Sequence, residues 1–225
     1  MDRRLAGGTM SAPTLFGAEY SVYTRIVRMI LHFKKTPYQF DLVDIFNTGT
    51  IPETYLSKHP FVKIPAFAHN GIALYETNAI CRYIDDVYPS PPLFPGTPLE
   101  RARTNQIVSI LDNYAYPSWV WGIYVERIEP DGPTDESKIS GALETAKTCC
   151  NALESLMGPG PGLISQQITL ADFYAISMMH YLVQTPEGQS LLSQHHALRR
   201  WWQTISEFDW VTDTMPEQLA ETNSS

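Results

Sequence analysis

A proline-rich run divides this chain into two parts with different sequence patterns. Residues 89–98 read PSPPLFPGTP and hold five prolines in ten positions. Proline has a fixed φ and no backbone N–H, so this run can continue neither a helix nor a sheet. We therefore predict a stiff linker at 89–98 between a first domain at 14–88 and a second domain at 99–215. Residues 1–13 are interpreted as a flexible tail or expression remnant, and residues 216–225 as a second tail.

Strand and helix patterns alternate in the first domain. Short apolar or alternating runs predict strands, and apolar residues at helical spacing predict helices between them. The expected order is strand, helix, strand, short helix, two-stranded hairpin and helix, at 15–16, 22–31, 38–45, 52–57, 64–68, 72–75 and 79–87.

Only helical patterns remain after the linker. We predict one long helix over 99–127 that bends at Pro117, and a second helix over 134–157. Thr169 and Asp172 have the spacing of a capping box, which starts another helix. The second domain is therefore predicted to be all-α.

The composition restricts the kinds of partner. With 24 acidic and 16 basic residues the net charge is −8, so neither nucleic acid nor an anionic membrane surface is expected as a partner. An odd cysteine count with an adjacent pair (Cys81, Cys149, Cys150) predicts reduced thiols, and no secretory signal is seen, so we expect a cytoplasmic protein. The histidines lack metal-ligand spacing, so no metal is expected.

The hydroxyl group of Ser21 lies between the first predicted strand and the first predicted helix. Ser21 is placed to begin this helix, with Tyr20 and Tyr23 nearby. A hydroxyl at a helix N-terminus lies among unpaired N–H groups and can help to hold an anion such as a thiolate. Ser21 can equally be an ordinary N-cap.

Two further features lie beside the hairpin. If the bond between Ile64 and Pro65 is cis, the Ile64 backbone can pair with an extended peptide, although a trans proline on an edge strand is the alternative. Thr77 and the helix start behind it can accept a carboxylate, while Glu76 can pair with an amine, although Thr77 can also be only a cap. A thiol, an extended backbone and an amino-acid end together describe glutathione.

Four segments carry a resemblance to a known family. In the order YSVYTRIVR, HPFVKIPAF, LYETNAI and ITLADF, with spacing that covers Leu15 to Trp210, the chain resembles the cytosolic glutathione S-transferases (GSTs). The resemblance implies an α/β thioredoxin-like N-terminal domain, an all-α C-terminal domain, glutathione as co-substrate and a homodimer.

The resemblance also implies roles for individual residues. The backbone of Ile64, before Pro65, would bind the cysteinyl part of glutathione, and Glu76 and Thr77 would bind the γ-glutamyl end. Lys63 is a local cation for the carboxylates of this anionic ligand.

The position of the thiol-activating residue differs between GST classes. Tyrosine-type classes use a hydroxyl near the end of the first strand, where this chain has Phe16 and Gly17. Serine and cysteine classes use the start of the first helix, which corresponds to Ser21. We therefore expect Ser21 to donate a hydrogen bond to the glutathione thiolate, with Tyr20 and Tyr23 as second choices. Serine at this position cannot form a mixed disulfide.

An aromatic group surrounds Pro117 in the second domain. Its spacing does not fit one helix face, so we expect Tyr116 and Trp119 to line an apolar pocket for a second substrate. The predicted function is a detoxifying transferase that joins glutathione to a small electrophile, apolar or aromatic. The alternatives are a glutathione-dependent disulfide reductase or peroxidase, or a noncatalytic interaction module of the same fold.

Overall fold

The computed structural model describes residues 11–47, 49 and 51–217, so most of each predicted tail lies outside it. The first part of the chain contains β1 (Thr14–Gly17), α1 (Val22–Phe33), β2 (Gln39–Leu42), α2 (Glu53–Leu56), β3 (Ala66–His69), β4 (Ile72–Tyr75) and α3 (Thr77–Val87). The strands form one sheet in the order β2-β1-β3-β4. The β1–β2 pair is parallel and the other two pairs are antiparallel. The predicted order of elements and the thioredoxin-like α/β fold are confirmed.

Strands β2 and β3 are shorter than the sequence pattern predicted. The third strand was expected from residue 64, but it begins at Ala66. Pro65 has no N–H to donate to a neighbouring strand, so the ladder starts after it. The second strand was expected over 38–45 and covers only Gln39–Leu42, at the edge of the sheet.

The rest of the described chain is helical. It contains α4 (Pro98–Ile110), a π-helix (Leu111–Val125), α5 (Glu126–Ile128), α6 (Glu136–Leu156), α7 (Leu170–Leu182), α8 (Pro186–Gln194), α9 (His196–Ile205) and α10 (Asp209–Thr212). The prediction of an all-α second domain is confirmed. The predicted long helix over 99–127 is present as one continuous helical run, in which the segment from Leu111 to Val125 is π-helical. Pro117 cannot donate a backbone hydrogen bond there. At the next residue, Ser118 Oγ donates to the Tyr114 carbonyl at 2.6 Å.

Helix α7 lies at the centre of the molecule. All thirteen of its residues are buried, and it packs against both α1 and the π-helix. Ser177 Oγ of α7 donates to the Val22 carbonyl of α1 at 2.8 Å, which joins the helical part to the start of α1. One apolar core therefore spans both parts of the chain.

The linker is attached to the first domain by one buried lysine. Lys34 Nζ donates to Asp85 Oδ1 at 2.8 Å and to the carbonyls of Tyr88 and Pro91 at 2.7 and 2.6 Å. Asp85 Oδ1 also accepts from the Leu93 N–H at 2.9 Å. These bonds connect the end of α1, helix α3 and the proline-rich run. The domain boundaries at 88 and 98 stay a prediction.

Replacing Lys34 with methionine is expected to lower the free energy of unfolding by about 3 kcal/mol, because it removes the counter-ion of a partly buried carboxylate. Urea denaturation measures this loss. Lys147→Met, at an exposed position on α6, is the matched control and is expected to change stability by less than about 0.5 kcal/mol. Equal stability of the two variants would contradict this role for Lys34.

Candidate functional site

A cavity of about 400 Å³ opens between the sheet domain and the helices. This volume lies within the range of small-molecule sites, roughly 300 to 1,000 Å³. One wall comes from the hairpin and the start of α3. It contains Lys63, Ile64, Pro65, Glu76 and Thr77, which are the residues other than Ser21 that were predicted to bind glutathione. The structure therefore brings these five predicted residues together.

The backbone of Ile64 lines this cavity, next to a cis peptide bond, with its own N–H and C=O unpaired among the described residues. The bond between Ile64 and Pro65 is cis, which decides between the two alternatives that the sequence left open. Within the described part of the chain, the N–H and C=O of Ile64 have no hydrogen-bond partner. The preceding carbonyl, of Lys63, accepts from the Tyr55 hydroxyl at 2.6 Å. A peptide-like ligand can therefore pair with the Ile64 backbone without breaking a protein hydrogen bond.

The start of α3 provides polar groups beside that backbone. Glu76 is the N-cap residue of α3, is exposed, and makes no side-chain cap hydrogen bond. Its φ of 67° lies in the left-handed region, where residues other than glycine are uncommon and often functional. Thr77 is the first residue of the helix and is buried, so it is not the N-cap that the sequence left open as an alternative. The unpaired N–H groups of the first turn favour an anion here.

The three hydroxyl groups considered for thiol activation have different surroundings. The Tyr20 hydroxyl donates to Asp44 Oδ1 at 2.7 Å, and burial together with this bond raises the pKa of Tyr20 to about 12. Ser21 is the N-cap of α1, and its Oγ accepts from the Thr24 N–H at 3.2 Å. Because Ser21 only accepts in this bond, its own proton is free for another acceptor. Of the three, only Tyr23 is among the residues that line the cavity.

The helical wall of the cavity consists of phenols and one carboxylate. Tyr23, Tyr116 and Tyr174 line it together with Asp112. The rings of Tyr23 and Tyr116 have centroids 4.7 Å apart. Burial raises the pKa of Tyr23, and the nearby Asp112 charge raises it further. Burial also raises the pKa of Asp112 to about 6.

Trp119 does not lie where it was predicted. It is 0% exposed, belongs to the core and is not a lining residue of the cavity, whereas Tyr116 does line it. Three residues are less than one turn of a π-helix, so the two side chains leave the helix in different directions. The wall beside Tyr116 also carries the Asp112 carboxylate and the phenols of Tyr23 and Tyr174. The apolar character of the second-substrate pocket stays a prediction.

Sequence reasoning did not assign Asp112, Tyr174, His59 or Asn78 to the site. His59 and Asn78 lie inside the segments HPFVKIPAF and LYETNAI, whereas no local motif marks Asp112 or Tyr174.

The three cysteines are not among the lining residues of the cavity, although Cys81 is close enough to Asp112 for that charge to add to burial in raising the pKa of its thiol. Cys81, Cys149 and Cys150 are buried free thiols. Burial raises the pKa of Cys149 to about 11 and that of Cys150 to about 12, which keeps both protonated. In the described ranges, no set of three or more His, Cys, Asp or Glu side chains could hold a metal ion. No helix there has the length and apolar character to cross a membrane.

The fold and the cavity together describe a class in which a thioredoxin-like domain and a helical domain share a small-molecule site. Residues 15–92 match the family model of the glutathione S-transferase N-terminal domain, and residues 124–213 match that of the C-terminal domain. The chain therefore belongs to the glutathione S-transferase family, as the four sequence segments indicated.

The chain is similar to relatives with two kinds of name. A stringent starvation protein A homolog from Histophilus somni is 24% identical over 221 residues, covering 96% of this chain and 98% of that protein. Glutathione S-transferase F13 from Arabidopsis thaliana is 24% identical over 204 residues, covering 86% and 90%. The crystal structure of poplar glutathione transferase F1 superposes with a TM-score of 0.80 at 23% identity, over 96% of this chain and 100% of that one. This structural likeness bears on the fold alone.

Proposed function

We propose that this protein is an active glutathione transferase that joins the glutathione thiolate to a small electrophile held in the same cavity. The observation that carries the proposal is the shared cavity wall of Ile64, beside its cis proline, and the start of α3. These elements are complementary to the backbone and the amino-acid end of one extended tripeptide.

Glutathione would lie along this wall in an extended form. Its cysteinyl part would pair with the N–H and C=O of Ile64, as an added strand does. The γ-glutamyl carboxylate would accept from the Thr77 hydroxyl and the first turn of α3, while its amine pairs with Glu76. Lys63 supplies a cation for the other carboxylate. These local groups attract an anion although the whole chain carries a charge of −8.

Ser21 is the proposed thiol-activating group. It begins α1, where the helix N-terminus favours a negative charge, and it retains a proton to donate to sulfur. Tyr20 is less suited, because its proton is directed to Asp44. The thiol loses its proton to solvent, and the thiolate sulfur attacks the electrophilic carbon to form a C–S bond while the leaving group departs with the electron pair. Tyr23 stays the second choice because it faces the cavity.

Replacing Glu76 with glutamine is expected to weaken glutathione binding about 10-fold, because the variant keeps the shape and loses a charge-assisted hydrogen bond of about 1.5 kcal/mol or more. Titration calorimetry with glutathione measures the affinity. Glu144→Gln, at an exposed position on α6, is the control and should bind as the unchanged protein does. Normal affinity in the Glu76 variant would remove this residue from the site.

A noncatalytic role is the alternative that a specific observation favours. The stringent starvation protein A homologs that this chain resembles are named for starvation and not for glutathione transfer. Retention on immobilised glutathione, followed by assays with aryl halides, peroxides and mixed disulfides, separates the possibilities. Turnover of aryl halides supports conjugation, and turnover of only peroxides or disulfides supports a reductase or peroxidase. Absence of both retention and turnover supports the noncatalytic role.

The proposal includes the oligomeric state of the protein and its location in the cell. The family resemblance implies a homodimer in the cytoplasm. Phe61 and Tyr75 are exposed aromatic side chains with ring centroids 6.2 Å apart, and they offer apolar surface for such an interface. The molar mass in solution, from light scattering, distinguishes a dimer from a monomer.

A further inference from the structure

One carboxylate in the helical wall of the cavity has an oxygen without a protein partner among the described residues. Asp112 Oδ1 is inaccessible to solvent and has no hydrogen-bond partner at ordinary distance among those residues, although the Tyr23 phenol is close enough to lower the pKa of this carboxyl as a donor. The residue as a whole is only half-buried and lines the cavity, so its carboxylate is within reach of a ligand there. Asp112 lies on the π-helix, close enough to Glu76 for the charge of Glu76 to influence its pKa.

The groups that influence the charge of Asp112 are neutral or negative. Burial raises the pKa of Asp112 to about 6; a hydrogen bond from the Tyr23 phenol lowers it in part, the Glu76 charge raises it, and the group is ionised at slightly alkaline pH. Among the described lining residues, the one Lys or Arg side chain is Lys63, next to Ile64. The helical wall is therefore negative and hydrogen-bond accepting.

The aromatic rings beside Asp112 favour a planar group. Tyr116 and Tyr174 line the cavity next to it, and Tyr23 packs against both rings at centroid distances of 4.7 and 6.4 Å. Aromatic faces and edges attract one another in offset or tilted contacts. A planar electrophile can pack on these rings while a polar substituent reaches the carboxylate.

We propose that Asp112 selects the second substrate, accepting a hydrogen bond from an ammonium, N–H or hydroxyl group of an aromatic electrophile and disfavouring electrophiles that carry a carboxylate. This inference rests on the proposed function and makes it more specific. It replaces the expectation of an apolar second substrate with that of a planar substrate bearing a donor or a positive charge.

Two S-benzyl conjugates of glutathione test the proposal without requiring turnover. One carries an aminomethyl group on the ring, which is an ammonium ion in water, and the other carries a carboxylate. Titration calorimetry gives the dissociation constant of each conjugate and of glutathione itself. We expect the ammonium conjugate to bind at least about 10-fold more tightly than the carboxylate conjugate, and Asp112→Asn to abolish most of this ratio. Asp86→Asn, an exposed position on α3 outside the cavity, is the matched control and should preserve the ratio.

Two outcomes would overturn the proposal. An unchanged ratio in Asp112→Asn would show that this carboxylate does not contact the second substrate. A weaker affinity for glutathione itself would assign Asp112 to the glutathione amine instead. If the conjugates show the expected preference and no electrophile is turned over, the role of Asp112 in selectivity is supported and the proposed transferase activity is contradicted.

Discussion

Asp172→Ala is expected to lower the free energy of unfolding by about 4 kcal/mol, the largest stability loss for any single change considered in this chain. The carboxylate is 0% exposed and accepts four hydrogen bonds. They come from the N–H of Leu163 at 2.8 Å, the N–H and hydroxyl of Thr169 at 2.8 and 2.9 Å, and Trp201 Nε1 at 3.0 Å. Alanine would leave these buried donors without an acceptor.

Because of the position of Asp172, the loss of its hydrogen bonds destabilises the whole protein and not only one helix end. Asp172 caps the first turn of α7, whose residues are all buried, and it also connects the preceding loop and α9 to that helix. Urea denaturation monitored by circular dichroism measures the change. Asp172→Asn, which keeps one of the two acceptor oxygens, is expected to lose less. Asp131→Ala, at an exposed loop position, is the control. A loss below about 1 kcal/mol in Asp172→Ala would contradict this structural role.

Ser21→Ala is expected to reduce kcat for conjugation by about 10- to 100-fold at neutral pH. The variant removes a hydrogen bond to a charged sulfur, and such bonds contribute about 1.5 to 3 kcal/mol. Glutathione affinity should change little, because the tripeptide is held by Ile64, Glu76 and Thr77. Steady-state kinetics with an aryl halide, with glutathione saturating, measure the effect.

The Ser21 variant also loses an N-cap, which costs about 1 kcal/mol of stability. Circular dichroism at the assay temperature establishes that the variant is folded. Tyr23→Phe is the matched comparison, since it removes the phenol hydroxyl that lines the cavity and keeps the ring. An unchanged rate in Ser21→Ala with a large loss in Tyr23→Phe would transfer the role to Tyr23.

Local motifs explain why the sheet wall of the cavity was predictable. Ile64, Pro65, Glu76 and Thr77 lie within one hairpin and the turn that follows it, so a short sequence pattern determines their relative positions. The capping box of Thr169 and Asp172 was predictable for the same reason and is present. The contacts of Asp172 with Leu163 and Trp201 come from other segments, and no local pattern marks them.

The side chains of the helical wall could not be predicted from local sequence motifs. Which side chains of a helix face a cavity depends on its hydrogen-bond register and on the helices packed against it. The shift from α to π at Leu111 changes that register, so Tyr116 and Asp112 reach the cavity while Trp119 enters the core. Tyr174 arrives from a helix almost 60 residues later in the chain, through packing alone.

The pKa of the thiol of bound glutathione tests the central claim most directly. The ultraviolet absorbance of the thiolate, titrated against pH with the protein in excess, gives this value without any second substrate. If Ser21 and the α1 N-terminus stabilise the thiolate, the midpoint in the unchanged protein lies at least about one unit below that of free glutathione, and Ser21→Ala moves it back. A midpoint equal to that of free glutathione, measured with the glutathione bound, would contradict the proposed transferase mechanism.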